Sequence, residues 1–336
     1  MTQLELVDGV LRGEAFLASL KDARATVIGL ARQTAAAARF LDRAGARVRV
    51  EPVGTTAKLA GEQLIVVTAP AAVASPAVAA ARAAGVPVLG DLDLGWCATE
   101  ADTLAVVGAR DVRAAVRFTS TVLGRQGRPV LAAGGADPDL LTVAPGFGGD
   151  GLVLLEPAAA QLATVQLFRP RVLAILGGAT SDLVALPRPD GTGAMTPELV
   201  TRVLAHQTSR DCVVLDADDL SARELARHTR ARALWLRTSG ALDHGVYVAR
   251  GRIAARLNGR VEEVCPAAEL PRGVLRATLV AVACALWVGM SPERIADVLA
   301  PDTVTRTVTR RTVTTAEGAG EAREPASSMT PASSIV

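Results

Sequence analysis

The stretch TLAVVGARDVRAAVRFTSTVLGRQGRPVLAAGG, Thr103 to Gly135, has the order of a phosphate-binding unit: an apolar run, a glycine at its end, a helical stretch and a second apolar run. A loop that grips the phosphates of ATP needs glycines so that successive backbone N–H groups face the ligand. It also needs a lysine that reaches the β- and γ-phosphates, and a Ser or Thr hydroxyl for magnesium. The turn here reads Gly108-Ala109-Arg110-Asp111-Val112-Arg113. The layout is present and the reactive side chains are not. Gly108 with Arg110 and Arg113 could hold an anion at the start of the following helix; the simpler reading of the two arginines is solvated surface.

Other residues could also do chemistry. Glu156, at the end of the apolar run LVLLE, could ligate a cation, but a single acid at a strand end beside Pro157 is expected to be solvated. Asp91 and Asp93 in GDLDLGW are spaced like paired carboxylates and are read as capping or structural groups. Asp216, Asp218 and Asp219 cluster like a metal site, and the turn after the run CVVLD accounts for them equally well. His206 is placed on a helix before that run and His244 in a hairpin turn. Neither has a Ser or Cys partner in a nucleophile motif, and Gly191 to Gly193 (GTG) is too short for a phosphate loop.

The elements that would position these groups are legible from Ala25 onward. Short Val/Ile-rich runs alternate with Ala-rich helical stretches, the sign of a parallel α/β sheet. ATVIGL, RVRVEP, QLIVVTA and VPVLG read as strands; SPAVAAARAAG reads as a helix with Ser75 as N-cap, Pro76 at its first position and Gly85 as its stop. A second series follows: TLAVVG, RPVLAAGG, GLVLLE, VLAILGG, CVVLDADD, RALWLRT and a hairpin GVYVARGRIAARL. Helices from Leu275 to Val288 and from Pro292 to Leu299 come after it. The reading is an N-terminal domain over residues 1–102, a second domain over 103–300 and a mostly disordered Thr/Ser/Ala/Pro-rich tail over 301–336, whose first dozen residues alternate enough to add an edge strand.

Composition narrows the class. Half of the 336 residues are hydrophobic, so a sizeable core can form. The net charge of +2 gives no strong overall field toward nucleic acid or acidic lipid, and 3% aromatic content offers no stacking platform for a single strand. Cys97, Cys212, Cys265 and Cys284 are scattered without CxxC spacing, which argues against zinc and for reduced thiols. The N-terminus lacks the pattern of a signal peptide, and the apolar stretch Leu279 to Met290 is about half the length that spans a bilayer. A cytoplasmic protein without membrane insertion is expected.

In order and spacing these segments resemble the Mur ligase family, and within it the MurD type that joins D-glutamate to UDP-N-acetylmuramoyl-L-alanine. VIGLARQTAAAARFLDRAGARVRV is similar to the opening loop and helix of that group, and IVVTAPAAVASPAVAAARAAGVPVLGDLDL to the segment after it. TLAVVGARDVRAAV falls where the family has its P-loop, LLEPAAAQL where it has a strand ending in a magnesium-binding glutamate (Glu156 here), and HQTSRDCVVLDADD on a later strand. ELPRGVLRATLVAVACALWVGMSPERIADVL matches the last segment. The resemblance implies a Rossmann-like N-terminal domain followed by a Mur ligase central-type, P-loop-like α/β domain.

It also exposes departures. Asp111, Val112 and Arg113 stand where the family has a glycine, the phosphate lysine and the magnesium-binding hydroxyl. Val200 falls near the family's carbamylated lysine, and Asp182 nearest a histidine. Gly273, Val274 and Ala277 replace residues that help hold the nucleotide. Gly29 remains in the uridine-nucleotide loop, but Ala31 and Thr34 stand where the family's glycine-rich loop would admit the uridine nucleotide. The tail from residue 301 is expected to be too short and too polar to be a counterpart of the third, amino-acid-binding domain. The expectation is therefore a pseudoenzyme with a degenerate P-loop, without a cofactor, acting as a binding or scaffolding partner of cell-wall synthesis or cell-division proteins. Vestigial sites would remain at Gly108, Arg110 and Arg113 for nucleotide, at Glu156 for metal, and at Gly29 and Thr34 for a UDP-sugar. The alternatives are an ATP- and magnesium-dependent amide ligase with a divergent site, and a sensor that binds a nucleotide or nucleotide sugar without turnover.

Overall fold

The computed structural model describes residues 10–59, 61–109, 111–135, 138–177, 195–270 and 274–300. Arg110, Asp182, the segment Gly191 to Gly193, Gly273 and the tail from residue 301 lie outside the described residues. After helix α1 (Gly13–Leu20), four strands form a parallel sheet in the order β2-β1-β3-β4: β1 (Arg24–Gly29), β2 (Arg47–Pro52), β3 (Leu64–Val67) and β4 (Val88–Gly90). Helices α2 (Ala31–Arg43), α3 (Pro70–Val73), α4 (Pro76–Ala83) and α5 (Asp91–Cys97) connect and follow them. Helix α4 starts where the sequence directs: the Ser75 hydroxyl accepts the Val78 N–H at 3.3 Å and Pro76 follows it.

The second sheet has nine strands in the order β13-β12-β11-β10-β9-β8-β5-β7-β6. In chain order its elements are β5 (Asp102–Gly108), α6 (Val112–Leu123), β6 (Val130–Gly134), α7 (Leu140–Val143), β7 (Leu152–Glu156), α8 (Ala159–Thr164), β8 (Val172–Leu176), α9 (Pro197–His206), β9 (Cys212–Asp216), α10 (Ala222–Ala226), β10 (Arg232–Arg237), β11 (Gly245–Ala249), β12 (Arg252–Leu257), β13 (Arg260–Pro266), α11 (Leu275–Trp287) and α12 (Pro292–Leu299). Pairing is parallel from β6 to β11 and antiparallel across β11, β12 and β13. Strands β7, β8 and β9 are buried along their whole length, which is why they read as unbroken apolar runs.

Alternate residues of the central strands serve different cores, as the period of two requires. One face of the second sheet, with Leu104, Val106, Leu152, Leu154, Val172 and Val214, packs under α6, α11 and α12. Helix α11 is buried from Ala277 to Ala285, and its alanines let it lie close against α6. The opposite face, with Ala105, Val107, Leu155, Ile175 and Leu215, shares one continuous core with Ala25, Val27, Leu64 and Val66 of the first sheet. The two sheets are therefore joined through apolar contact.

Two hairpins set the far edge of the second sheet. Arg250 and Gly251 both have positive φ between β11 and β12, and Asn258 and Gly259 do the same between β12 and β13, the two-residue turn geometry that suits twisted antiparallel strands. Strand β13 is absent from the sequence reading because Arg260, Glu262 and Glu263 break its apolar pattern; it is an edge strand with a charged exposed half. The Asn258-Gly259 pair was the signal for it. His244 precedes β11 and is not in the hairpin turn, which Arg250 and Gly251 form.

A single carboxylate fastens the end of the first sheet to the second. Asp93 in α5 is fully buried and accepts four backbone N–H groups: Gly90 and Gln166 on Oδ2, both at 2.8 Å, and Leu167 at 2.9 Å and Phe168 at 2.7 Å on Oδ1. Gly90 sits so close to Thr164 that any side chain there would collide with its backbone. Trp96 meets the edge of Phe168, ring centroids 6.4 Å apart, and the Arg12 guanidinium lies 4.4 Å over Trp96 while donating to the Ala101 carbonyl at 2.9 Å. Asp93→Ala would leave four buried or partly buried donors without an acceptor, which should cost roughly 3–5 kcal/mol. Urea unfolding checks this, and a loss under about 1 kcal/mol would show that the N–H groups find other partners.

Candidate functional site

In an open parallel sheet, ligands collect where the chain changes direction at the carboxyl ends of the strands. In the second sheet that point flanks β5, which has β7 on one side and β8 on the other. Gly108 ends β5 with φ of 149°, and a side chain there would run into the Leu176 carbonyl of β8. Only glycine fits. The Ala109 N–H donates to that same carbonyl at 3.0 Å. Asp111 then takes the left-handed conformation, φ 60° and ψ 3°, and its side chain makes no capping bond to α6. An aspartate thus occupies a backbone conformation that glycine adopts without strain.

Val112 opens α6 and is buried in the core beneath α11. Arg113 is exposed beside it. Around the turn, residues 109 and 111–114 carry neither a lysine nor a hydroxyl. Val200, on α9, is wholly buried in the core shared by the two sheets.

Glu156 departs from its expected solvation. It ends β7 at 5% exposure, its backbone in register with Gly134, and its carboxylate fills the space that a side chain on Gly135 would need. Gly134 and Gly135 both have positive φ and lie against the acid. The three aspartates at the end of β9 hold a turn. Asp216, buried, accepts the Asp218 N–H at 3.0 Å and pairs with Arg276 Nη2 at 3.1 Å; Asp218 pairs with Arg237 Nε at 3.1 Å; Asp219 accepts the Ser221 N–H and hydroxyl. Arg276 lies on the first turn of α11, between Val274 and the buried Ala277. Among the described residues no group of three or more His, Cys, Asp or Glu side chains is placed to hold a metal.

The first sheet has its own point of reversal between β1 and β3. Only Leu30, 59% exposed, separates β1 from α2. A side chain on Gly29 would collide with the Thr68 hydroxyl, and Thr34 is buried with its hydroxyl donated to the Ala31 carbonyl at 3.0 Å. The Thr68 hydroxyl is buried without a hydrogen-bond partner among the described residues. Sequence reasoning singled out Gly29 and Thr34 but not Thr68, which ends an apolar run without a motif of its own.

Where the two sheets meet, Asp91 accepts its own helix's Leu92 N–H at 2.9 Å and the Gln161 side-chain amide at 3.3 Å. Gln161 in turn accepts the Ala158 N–H at 3.0 Å and so ties the start of α8 to α5. Burial, with the charge of Asp139 adding to it, pushes the Asp91 carboxyl up from its ordinary 3.8 to about 7. Burial also pushes Asp93 up, against four N–H groups that favour its charged form. His206 ends α9 with Nδ1 3.0 Å from the Phe168 carbonyl, a structural contact. The four cysteines are buried, and burial raises Cys97 and Cys284 to about 12.

No protein-family model matches the chain. Among characterised proteins it is similar to the UDP-N-acetylmuramoylalanine–D-glutamate ligase of Acidobacterium capsulatum, 26% identical over 309 residues, covering 83% of this chain and 66% of that protein. It is also similar to the ligase of the same name from Pelotomaculum thermopropionicum, 29% identical over 304 residues, covering 81% and 65%. The chain spans just under two thirds of the length of these relatives. In fold it is similar to the UDP-N-acetylmuramate:L-alanyl-γ-D-glutamyl-meso-diaminopimelate ligase from Neisseria meningitides, with a TM-score of 0.50 and 14% identity over 82% of this chain and 97% of the other. The UDP-N-acetylmuramoyl-L-alanyl-D-glutamate–2,6-diaminopimelate ligase gives the same score at 13% identity, over 83% and 60%. No helix among the described residues is long and apolar enough to cross a membrane.

The raised Asp91 carboxyl makes stability depend on pH with a definite sign. The folded chain holds this proton more tightly than the unfolded one, so the contribution is complete below 3.8 and is lost as pH rises toward 7. Urea midpoints should fall across that window in the parent protein and fall less steeply in Asp91→Asn, with a residual slope from Asp93. Equal slopes in the two proteins would mean that Asp91 ionises as freely in the folded chain as in the unfolded one.

Proposed function

We propose that this chain, which resembles the Mur ligases in sequence and in fold, is a non-catalytic relative of them. It would act as a binding or scaffolding partner in peptidoglycan synthesis or cell division. The observation that carries the reading is Val112: the side chain at the head of α6, in the family's lysine position, is packed into the core. The residues around it do not fit magnesium-ATP. Asp111 brings negative charge to the turn, Arg113 supplies no metal-binding hydroxyl, and Val200 is a buried aliphatic where a carbamylated lysine would be needed. Arg276, paired with Asp216, occupies the start of α11, where the family's nucleotide-holding residues align.

Coupling an amine to a carboxylate through an acyl-phosphate needs ATP in line with the carboxylate and cations to offset charge in the transition state. Loss of one electrostatic contact typically costs about a hundred- to a thousandfold in rate and could leave a slow ligase. Loss of the lysine, the hydroxyl and the second-metal ligand together supports no turnover. Glu156 alone does not position two ions.

A sensor that binds a nucleotide sugar without turnover is favoured by a separate observation. The Thr68 hydroxyl, buried and unpartnered beside Gly29 and Thr34, is a polar group at the first sheet's point of reversal for which a ligand could supply the missing hydrogen bond. The ligase reading, with ATP and magnesium bound by a divergent loop, is the one that a kinetic assay tests.

In a phosphate-release assay with ATP, magnesium, UDP-N-acetylmuramoyl-L-alanine and D-glutamate, the full chain should give only background. Glu156→Ala should leave that result and the protein's biological role unchanged. Release that requires both substrates and disappears in Glu156→Ala would establish the ligase instead.

A further inference from the structure

The whole-chain charge of +2 conceals an uneven surface. At the amino-terminal edge of the second sheet, opposite the Gly108 turn, backbone hydrogen bonds set the strand starts side by side: Arg232 N–H to the Asp211 carbonyl at 3.0 Å, Cys212 N–H to the Arg171 carbonyl at 2.8 Å, and Arg171 N–H to the Thr103 carbonyl at 2.7 Å. Strands at this spacing, about 4.8 Å apart, bring Arg169, Arg171, Arg210, Arg227, Arg230 and Arg232 onto one rim, all of them exposed. Arg169 pairs with Asp211 at 3.7 Å, Arg227 with Glu224, and Arg171 with Asp102, which Arg128 shares at 3.6 Å. Arg210, Arg230 and Arg232 form no ion pair with any described residue.

We propose that this rim is a docking surface for an anionic bilayer, bound through lipid headgroups by charge alone and without insertion. The rim lacks what other polyanionic partners use. The large exposed apolar residues among those described are Leu30, Val50, Leu220 and Val261, and none lies on it, so a protein partner would find no apolar anchor. Leu220 sits beyond the far end of β9, ahead of α10. No aromatic platform is present for single-stranded nucleic acid. A laterally extended surface of negative headgroups needs only clustered, exposed cations. Adsorption by this rim leaves the strand ends that carry Gly108, Glu156 and Asp216 facing away from the lipid.

The test is sedimentation of the full chain with vesicles. With roughly one third phosphatidylglycerol at low salt, the protein should sediment with the lipid. It should be released at about 0.5 M salt and ignore vesicles of phosphatidylcholine alone. Arg210→Gln, Arg230→Gln and Arg232→Gln together should weaken binding roughly a hundredfold, while Arg39→Gln, Arg43→Gln and Arg117→Gln, which remove the same charge elsewhere, should leave most of it. Should the first triple variant fail to fold by circular dichroism, Arg230→Gln alone should weaken binding about fivefold. Absence of vesicle binding at low salt, equal losses in the two triple variants, or capture by duplex DNA in place of vesicles would overturn the proposal.

Discussion

The arrangement depends on one buried carboxylate. Asp93 gathers the N–H groups of Gly90, Gln166, Leu167 and Phe168, so the start of α5 and the segment entering β8 are fixed to the same two oxygen atoms. The core shared by the two sheets supplies most of the attraction between them, but apolar contact is non-directional and does not choose one orientation. Four directed hydrogen bonds do. The consequence reaches both candidate sites, because α5 follows the last strand of the first sheet and residues 166–168 lead into β8, whose Leu176 carbonyl forms the floor beneath Gly108.

Much of this architecture was legible in the sequence because its strands are buried on both faces. Runs such as LVLLE and CVVLD admit few other readings, and Ser75-Pro76 marks a helix start that the structure uses. Strand β13 escaped because exposed charges on an edge strand remove the apolar pattern, although Asn258-Gly259 announced its turn. Three of the four partners of Asp93 could not be read, since they lie 73 to 75 residues away and are backbone groups that no side-chain pattern reveals. Asp216 and Arg276 meet for the same reason, through the fold alone.

For the candidate site, residue types were legible and their surroundings were not. The sequence reading sets Val112 against the lysine of the family it resembles but does not say where its side chain goes; packing under α11 does. Glu156 looked solvated from its neighbour Pro157, yet two glycines with positive φ lie against it. The glycine-like conformation of Asp111 is the most telling detail, since the backbone there is left-handed while the side chain that follows it turns into the core. The chain thus joins a ligase-like scaffold to a turn at which Val112 packs into the core while Asp111 and Arg113 stay exposed.

The central claim is that this turn does not hold ATP. Isothermal titration of the full chain with magnesium-ATP measures that directly, without dependence on an acceptor substrate. The account predicts no saturable heat, corresponding to a dissociation constant weaker than about 1 mM, or less than about 4 kcal/mol of binding. A micromolar constant, near 8 kcal/mol, that weakens when Gly108 is changed to a bulkier residue would contradict it and place a working nucleotide site at the end of β5.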